Sequence, residues 1–432
     1  MKLGNMFRLL LGTAGLRFGG AAIGLATQLV LARLLSPQDL GIVFLTMSSA
    51  ALLSLLVTAG YPNLAFTQLP RWHTLKVQRA VAAFHGAFLR DFVLWNVALI
   101  GVVLALAWSG SINPDLRLAL LFGTASAGIS GLLRYNSAIA NGLKQFVIAY
   151  GPDSLVRPGL FFLIIVAVAG AGIELSLMFV LCAFIASNFV VVVGQALAMG
   201  TNRLRVQNWF HARRGFSSLL RGRAAAVMIT AGLATMFADI VTLLGGVLLA
   251  PGDVAVLGIC IRLSGLAGYV LQASQQFSLP DLTAAFTRRD DALARSLLLR
   301  LNYLMLGSSA VMLSGTILLG GIFLRFFGDH YATGYGLLVI CMLGQVVRAA
   351  SGMNQNLLAI HGFQKQTARA ALTAVVLFVG TTILLGARMG AFGIGLAVLV
   401  AELAWAAQLA AQARSLVGKR ADLLWLMMAA AP

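Results

Sequence analysis

The chain has 432 residues, of which 60% are apolar and only 10% charged. Globular domains carry about a quarter charged residues, so the composition excludes an ordinary soluble protein. Its 31 basic and 13 acidic residues leave a formal charge of +18, which on a soluble surface would point to nucleic acid.

Taken in order, apolar runs near or above the ~20 residues that cross hydrocarbon lie at about 7–32, 40–62, 86–109, 116–140, 153–172, 174–199, 223–249, 254–279, 299–325, 332–360, 367–387 and 391–416. Backbone groups in lipid must pair internally, and no barrel-like alternation is present, so these runs are expected to be helices. The opening "MKLGNMFRLLLGTAGL" has the look of a signal peptide. Its apolar run passes Arg17 and continues beyond residue 30, so an uncleaved first helix is expected.

The basic residues then sort by side. With the N-terminus inside, 25 of the 31 fall on the cytoplasmic side, among them Arg71, Lys76, Arg79, Lys144 and the six arginines of 201–223. Arg33, Arg117, Arg325 and Arg388 fall outside, while Arg262 and Arg348 lie within spans. This is the positive-inside pattern, with both termini cytoplasmic and no nucleic-acid partner implied. The linker "TNRLRVQNWFHARRGFSSLLRGR" is basic, with Trp209 and Phe210 among its charges, and suits an anionic inner leaflet. A docking role for glycan-assembly enzymes is left open.

Two stretches half a chain apart repeat one another. "LLSPQDLG" at 34–41 is echoed by "LLAPGDVAVLG" at 248–258, with Pro37 and Asp39 matching Pro251 and Asp253 at an offset of 214. "QLPRW" (68–72) pairs with "SLPDL" (278–282), and "NSAIANGLKQ" (136–145) with "NLLAIHGFQK" (356–365) at an offset of 220. Six spans separate the copies, an even number, so the halves share one orientation as a parallel repeat. The expected fold is an all-α polytopic membrane protein of twelve transmembrane helices in two six-helix lobes around a central cleft. The lobes are 1–200 and 223–417, with a linker at 201–222 and a cytoplasmic tail at 418–432. A monomer suffices for such pseudosymmetry. In each Pro-Asp turn, Pro stops one helix and Asp caps the next.

Cys182, Cys260 and Cys341 all fall in spans and read as small buried hydrophobes. The five histidines form no metal or triad spacing, and no Walker-type glycine loop is present, so no metal, cofactor or catalytic group is expected.

"LATQLVLARLLSPQDLGIVFLTMSSAALLSLLVTAGY" (25–61) resembles the first hairpin of bacterial polysaccharide-export flippases, within the multidrug/oligosaccharidyl-lipid/polysaccharide exporter superfamily. "APGDVAVLGICIRLSGL" is similar to that family's seventh-to-eighth helix segment, and "LVRPGLFFLII" (155–165) to the start of its fifth. The resemblance implies flipping of a polyprenyl-pyrophosphate-linked oligosaccharide to the outer leaflet of the bacterial inner membrane by alternating access, for cell-surface polysaccharide. Related lipid II flippases look like fourteen-span proteins, unlike the twelve counted here.

Ionisable groups within spans are functional candidates by default. Arg17 lies about 15 Å into the first span; Arg262 and Arg348 sit in the eighth and tenth, and Arg134 near the inner end of the fourth. Three helical stripes carry them: Ser126, Ser130, Arg134, Ser137 and Asn141; Arg262, Gly265, Tyr269, Gln272 and Gln276; Gln345, Arg348, Gly352 and Gln355. Guanidinium groups suit a pyrophosphate, and Tyr269, Gln272, Gln276 and Gln345 suit sugar hydroxyls. The competing role is gluing helices together, or for Arg134 snorkelling to the interface. Asp239, on a stripe with Thr235 and Thr242, is placed at a depth close to Arg262, either as a structural pair or as a coupling switch. Glu402 is the other embedded acid; Asp91 is expected at the interface.

Two other functions remain in contention. A cation-coupled multidrug antiporter of the same superfamily would be expected to carry acids in the cavity of the first lobe, where Arg17 sits instead. A membrane polymerase or ligase would need catalytic groups on a sizeable outer loop, and the outer loops here are short.

Overall fold

In the computed structural model the described residues are 3–75, 77–110, 112–200, 236–288 and 290–428, without the side chains of 3–14, 17, 66–67, 73–74, 277, 280, 424 and 428. The expected linker 201–222, the first part of the seventh span with Thr235, and the Arg17 side chain lie outside the described residues. Among the described residues all regular structure is helical, and nine helices are long and apolar enough to cross a membrane. The chain forms two compact units, Met1–Val247 and Leu248–Pro432.

The first unit holds α1 (Leu3–Leu34), α2 (Pro37–Thr58), α3 (Tyr61–Thr74), α4 (Gln78–Trp108), α5 (Pro114–Gly142), α6 (Phe146–Gly151), α7 (Arg157–Gly170), α8 (Leu177–Met199) and α9 (Phe237–Leu248), which closes it. Small residues let α2 and α5 approach closely. A Cβ on Gly123 would overlap the Ser49 side chain, and the Ser49 hydroxyl lies 3.2 Å from the Ala119 carbonyl of α5. At one end of this pair Tyr61, Leu69, Phe84, Phe88 and Tyr135 form an aromatic core, with the Phe88 and Tyr135 rings stacked.

Capping at the repeated Pro-Asp turn is shifted from the expectation. Ser36, not Asp39, is the N-cap of α2: its hydroxyl oxygen accepts the Asp39 amide at 3.1 Å and its hydroxyl donates to the Asp39 carboxylate at 2.7 Å. Pro37 opens the helix, where its missing N–H costs nothing. The second copy has Ala250 at the cap with no side-chain bond, so the shared element is the Pro and the acid in the first turn.

The fifth span begins earlier than its proline suggested. Helices α6 and α7 are joined through a π-helical turn, Pro152–Val156, into one apolar helix, Phe146–Gly170. Pro152 has no N–H for the carbonyl of Ile148, four residues back. The Gln195 side-chain amide of α8 fills that vacancy, donating to Ile148 O at 3.0 Å. Pro158 likewise frees the Ser154 carbonyl, and α1 runs so close there that a Cβ on Gly20 would overlap it.

The second unit holds α10 (Pro251–Thr287), α11 (Asp291–Phe327), a 3₁₀ turn (Asp329–Gly334), α12 (Tyr335–Ala350), α13 (Asn354–Ile360), α14 (Gln364–Gln412), a π-turn (Ala413–Val417) and α15 (Leu423–Met428). Helix α14 contains two passes. Gly390 takes φ 60° and ψ −140°, and a Cβ on Gly386 would meet Ile394, eight residues on (394 − 386). In a straight helix those residues would be about 12 Å apart. The chain therefore turns back at Gly390, as the expected division near 387–391 requires.

The tenth span, expected to be continuous over 332–360, is broken at 351–353, where Gly352 has φ 60°. Residues 421–422 fill the break. The Ala421 amide donates to Asn354 Oδ1 at 2.7 Å, and its carbonyl accepts from Met353 N and from Asn302 Nδ2 of α11. Asp422, 2% exposed, accepts from Asn354 Nδ2 and Arg420 Nε. The segment after α14 is thus bonded into the inside of the second unit.

The third repeated motif closes both copies with one local fold. Gln145 N bonds Ala140 O and Phe363 N bonds Leu358 O, the six-to-one bond of a Schellman turn. The left-handed residues are Lys144 (φ 62°) and Gly362 (φ 84°), so the structural offset is 218 (362 − 144), not the 220 read from the letters. Cys182, expected to be buried, is exposed on α8; Cys260 and Cys341 are buried.

Candidate functional site

The stripe on α5 is consumed by packing. Asn188 Nδ2 of α8 donates to Ser126 at 3.0 Å, Gln195 Nε2 donates to Ser137 at 3.0 Å, and Asn141 Nδ2 donates to the Tyr150 hydroxyl at 2.6 Å. Arg134 is partly buried on the same face, with its Nη2 3.6 Å from Met236 Sδ. Its charged surroundings are Asp153, Arg157 and Asp239. Asp153 of the π-turn and Arg157, the first residue of α7, pair at 3.0 Å. Asp153, the first residue of the expected fifth span, lies seven residues (153 − 146) inside the observed helix, which starts at Phe146.

A second buried set in the first unit was not anticipated. Asp91, expected at the interface, is 2% exposed and accepts a 2.7 Å hydrogen bond from the Tyr61 hydroxyl, with Arg90 3.2 Å from its other oxygen. Beside it the buried His85 Nδ1 lies 2.6 Å from the Tyr135 hydroxyl. The signal in sequence was the polar spacing of His85 and Asp91 against aromatic neighbours at 84, 88 and 92.

The stripe on α10 behaves oppositely. Tyr269 is 42% exposed, and Gln272 and Gln276 are exposed. Arg262, partly buried, lies eleven residues (262 − 251) into the helix, about 16 Å along it, with Nη1 3.3 Å from the Gly258 carbonyl. Gly265 on the same face has nothing within 4 Å of where a Cβ would stand. The face therefore presents an open polar track along a membrane-length helix, with a cation at one end and amides at the other.

On α12, Arg348 and Glu402 of α14 face one another, Nε to Oε1 3.9 Å, and the guanidinium lies 5.6 Å from the Trp405 ring centroid. Glu402 is buried, and its Oε2 has no hydrogen-bond partner among the described residues. Gln345 points at Gly268 of α10, where a Cβ would come within 3.1 Å of its Oε1, an oxygen that is buried and without a hydrogen-bond partner among the described residues. Of the residues singled out from sequence, the second unit holds Arg262, Tyr269, Gln272, Gln276, Gln345, Arg348 and Glu402; the first holds Arg134 and Asp239. Among the described residues no three His, Cys, Asp or Glu gather as a metal site.

No protein-family profile and no curated protein sequence matches the chain. Solved structures do. A multidrug resistance MATE family transporter of the MOP superfamily aligns at TM-score 0.75 and 14% identity, over 95% of this chain and 96% of its own. The lipid II flippase MurJ aligns at TM-score 0.71 and 16% identity, over 92% of this chain and 86% of its own. A MOP superfamily transporter from Pyrococcus furiosus aligns at TM-score 0.53 and 12% identity, over 95% of both. The chain therefore has the helical membrane fold shared by these transporters and flippases.

Proposed function

We propose that this chain is a multi-pass membrane transporter that flips an anionic lipid-linked oligosaccharide, of the polyprenyl-pyrophosphate class, between leaflets of a bacterial inner membrane. The observation that carries this reading is the open polar face of α10. Polar side chains exposed on a membrane-crossing helix belong against water, not lipid. Arg262 supplies a permanent positive charge with bidentate donors for a phosphate oxygen, while Tyr269, Gln272 and Gln276 offer both donors and acceptors to sugar hydroxyls.

A second reading has its own observation. Among the described residues Glu402 keeps one buried oxygen without a hydrogen-bond partner, and Asp91 and Asp153 lie within the membrane-length helices of the first unit. Embedded acids suit a cation-coupled multidrug antiporter, and a multidrug resistance MATE family transporter is among the structures that share the fold.

Leaflet transfer in proteoliposomes separates the two. One assay follows a fluorescent polyprenyl-pyrophosphate oligosaccharide, the other an organic-cation dye under a proton gradient. Lipid transfer lost in Arg262→Ala supports the flippase; dye uptake without lipid transfer, abolished by Glu402→Gln, establishes the antiporter instead.

A further inference from the structure

The last pass of α14 ends in an open cleft of about 710 Å³ lined by Ala407, Ala410, Ala411, Arg414, Ser415 and Arg420. The sequence alone shows only basic residues at a helix end. The backbone makes the site: the π-turn Ala413–Val417 carries Arg414. Gly418, at φ 75°, then reverses the chain and brings Arg420 back to the same cleft.

We propose that this cleft binds an anionic phospholipid. Its headgroup phosphate rests on Arg414 and Arg420, and an acyl chain lies along the alanines. Three observations carry this. First, the two cations are not cancelled locally. Among the described residues Arg414 has no carboxylate partner and lies 5.4 Å from the Trp425 ring centroid. Arg420 spends one of its five N–H donors on Asp422 Oδ2 at 2.7 Å. Asp422 is already engaged by Asn354 and the Trp425 amide, so its charge is directed into the protein.

Second, the lining is divided by chemistry along the helix axis. Ala410 and Ala411 stand three and four residues after Ala407, which places both beside it on one helical face. Ala407 and Ala411 are exposed. Methyl side chains there leave a shallow trough running from the membrane-crossing part of the helix towards the arginines. A soluble phosphate has no use for that trough, whereas a lipid uses both halves.

Third, the site lies at the end of a membrane-crossing helix, the depth at which headgroups sit, and basic clusters at that depth attract anionic lipid. The aromatic face of Trp425 beside Arg414 is also suited to an interface. The binding does not depend on what the protein transports.

The test uses the full-length purified chain in detergent, with retained ligand read by native mass spectrometry. The probes are dioctanoyl-phosphatidylglycerol, dioctanoyl-phosphatidylcholine and glycerol 3-phosphate. The variants are Arg414→Gln and Ala411→Trp, both at exposed positions; thermal unfolding without lipid confirms that each is folded. Phosphatidylglycerol is expected to be retained over phosphatidylcholine, and Arg414→Gln to weaken that retention about five-fold while leaving phosphatidylcholine unchanged. Ala411→Trp fills the trough and is expected to weaken phosphatidylglycerol with both arginines intact. Equal retention of the two lipids, or phosphatidylglycerol binding insensitive to Arg414→Gln, overturns the proposal. So does competition by glycerol 3-phosphate that Ala411→Trp leaves untouched, which would assign the arginines to a soluble phosphate.

Discussion

Arg348 and Glu402 meet within the second unit at 3.9 Å, one from α12 and one from the returning pass of α14. Their depths agree: Arg348 is thirteen residues from Tyr335 (348 − 335) and Glu402 twelve from Gly390 (402 − 390). The carboxylate is the more enclosed partner, with 10% of its side chain exposed against 33% for the arginine. Removing the arginine strands a buried charge, so Arg348→Ala is expected to lower stability more than Glu402→Gln does. A double-mutant cycle on the thermal unfolding of detergent-purified protein should return a coupling of about 1–2 kcal/mol, reduced from a fully buried pair by the exposure of Arg348. A coupling of zero would mean that the two charges are independent.

The two polar stripes make opposite predictions. Those of α5 hold helices together, so Asn188→Leu, which leaves the buried Ser126 without its donor, should cost about 0.6–2 kcal/mol of stability. On α10 the polar side chains are exposed, so Gln272→Ala should leave the unfolding midpoint near wild type and lower lipid transfer in proteoliposomes. A stability loss at Gln272 matching that at Asn188 would place both stripes in packing.

Helical membrane passes were legible because apolar runs of sufficient length have few other solutions in lipid. Their interruptions were harder to see, for a reason visible at Pro152. A proline usually marks a helix start, and here it sits inside one because Gln195, on another helix, supplies the donor that Ile148 would otherwise lack. The break at Gly352 is similar: one glycine in an apolar run is compatible with a continuous helix, and only Ala421, nearly seventy residues on, makes the break favourable by bonding Met353 and Asn354. Both depend on distant partners that local spacing cannot reveal. At the candidate site, sequence placed Arg348 and Glu402 within membrane spans but did not pair them. Nor could it tell the packed α5 stripe from the open α10 stripe, since both step by three and four residues.

Gly20 gives a sharper test of the fifth span. Its Cα faces the Ser154 carbonyl freed by Pro158, and a methyl group there would overlap backbone that has no rotamer to yield. Gly20→Ala is expected to part α1 from the π-turn and to cost about 1–3 kcal/mol. The neighbouring Gly24→Ala, with nothing within 4 Å, should be neutral or slightly stabilising through helix propensity. Equal effects at 20 and 24 would deny the close approach.

The paired Schellman turns offer a stabilising change. Lys144 holds a left-handed conformation that its counterpart Gly362 adopts freely. Lys144→Gly should therefore raise stability by about 1 kcal/mol, and Gly362→Ala should lower it by a similar amount, both read from denaturation midpoints.

The segment around Ala421 has a consequence for how this protein is made. Met353 N and Asn354 Oδ1 meet Ala421, a residue that the ribosome adds after every membrane pass of the second unit has been synthesised, and Asn302 Nδ2 gains it as a second acceptor beside Leu298 O. Until then, the gap between α12 and α13 waits with polar groups unmet. Completion of the second unit is thus tied to late translation, and a stop codon shortly before Gly418 would leave every membrane pass in place while removing the piece that closes them.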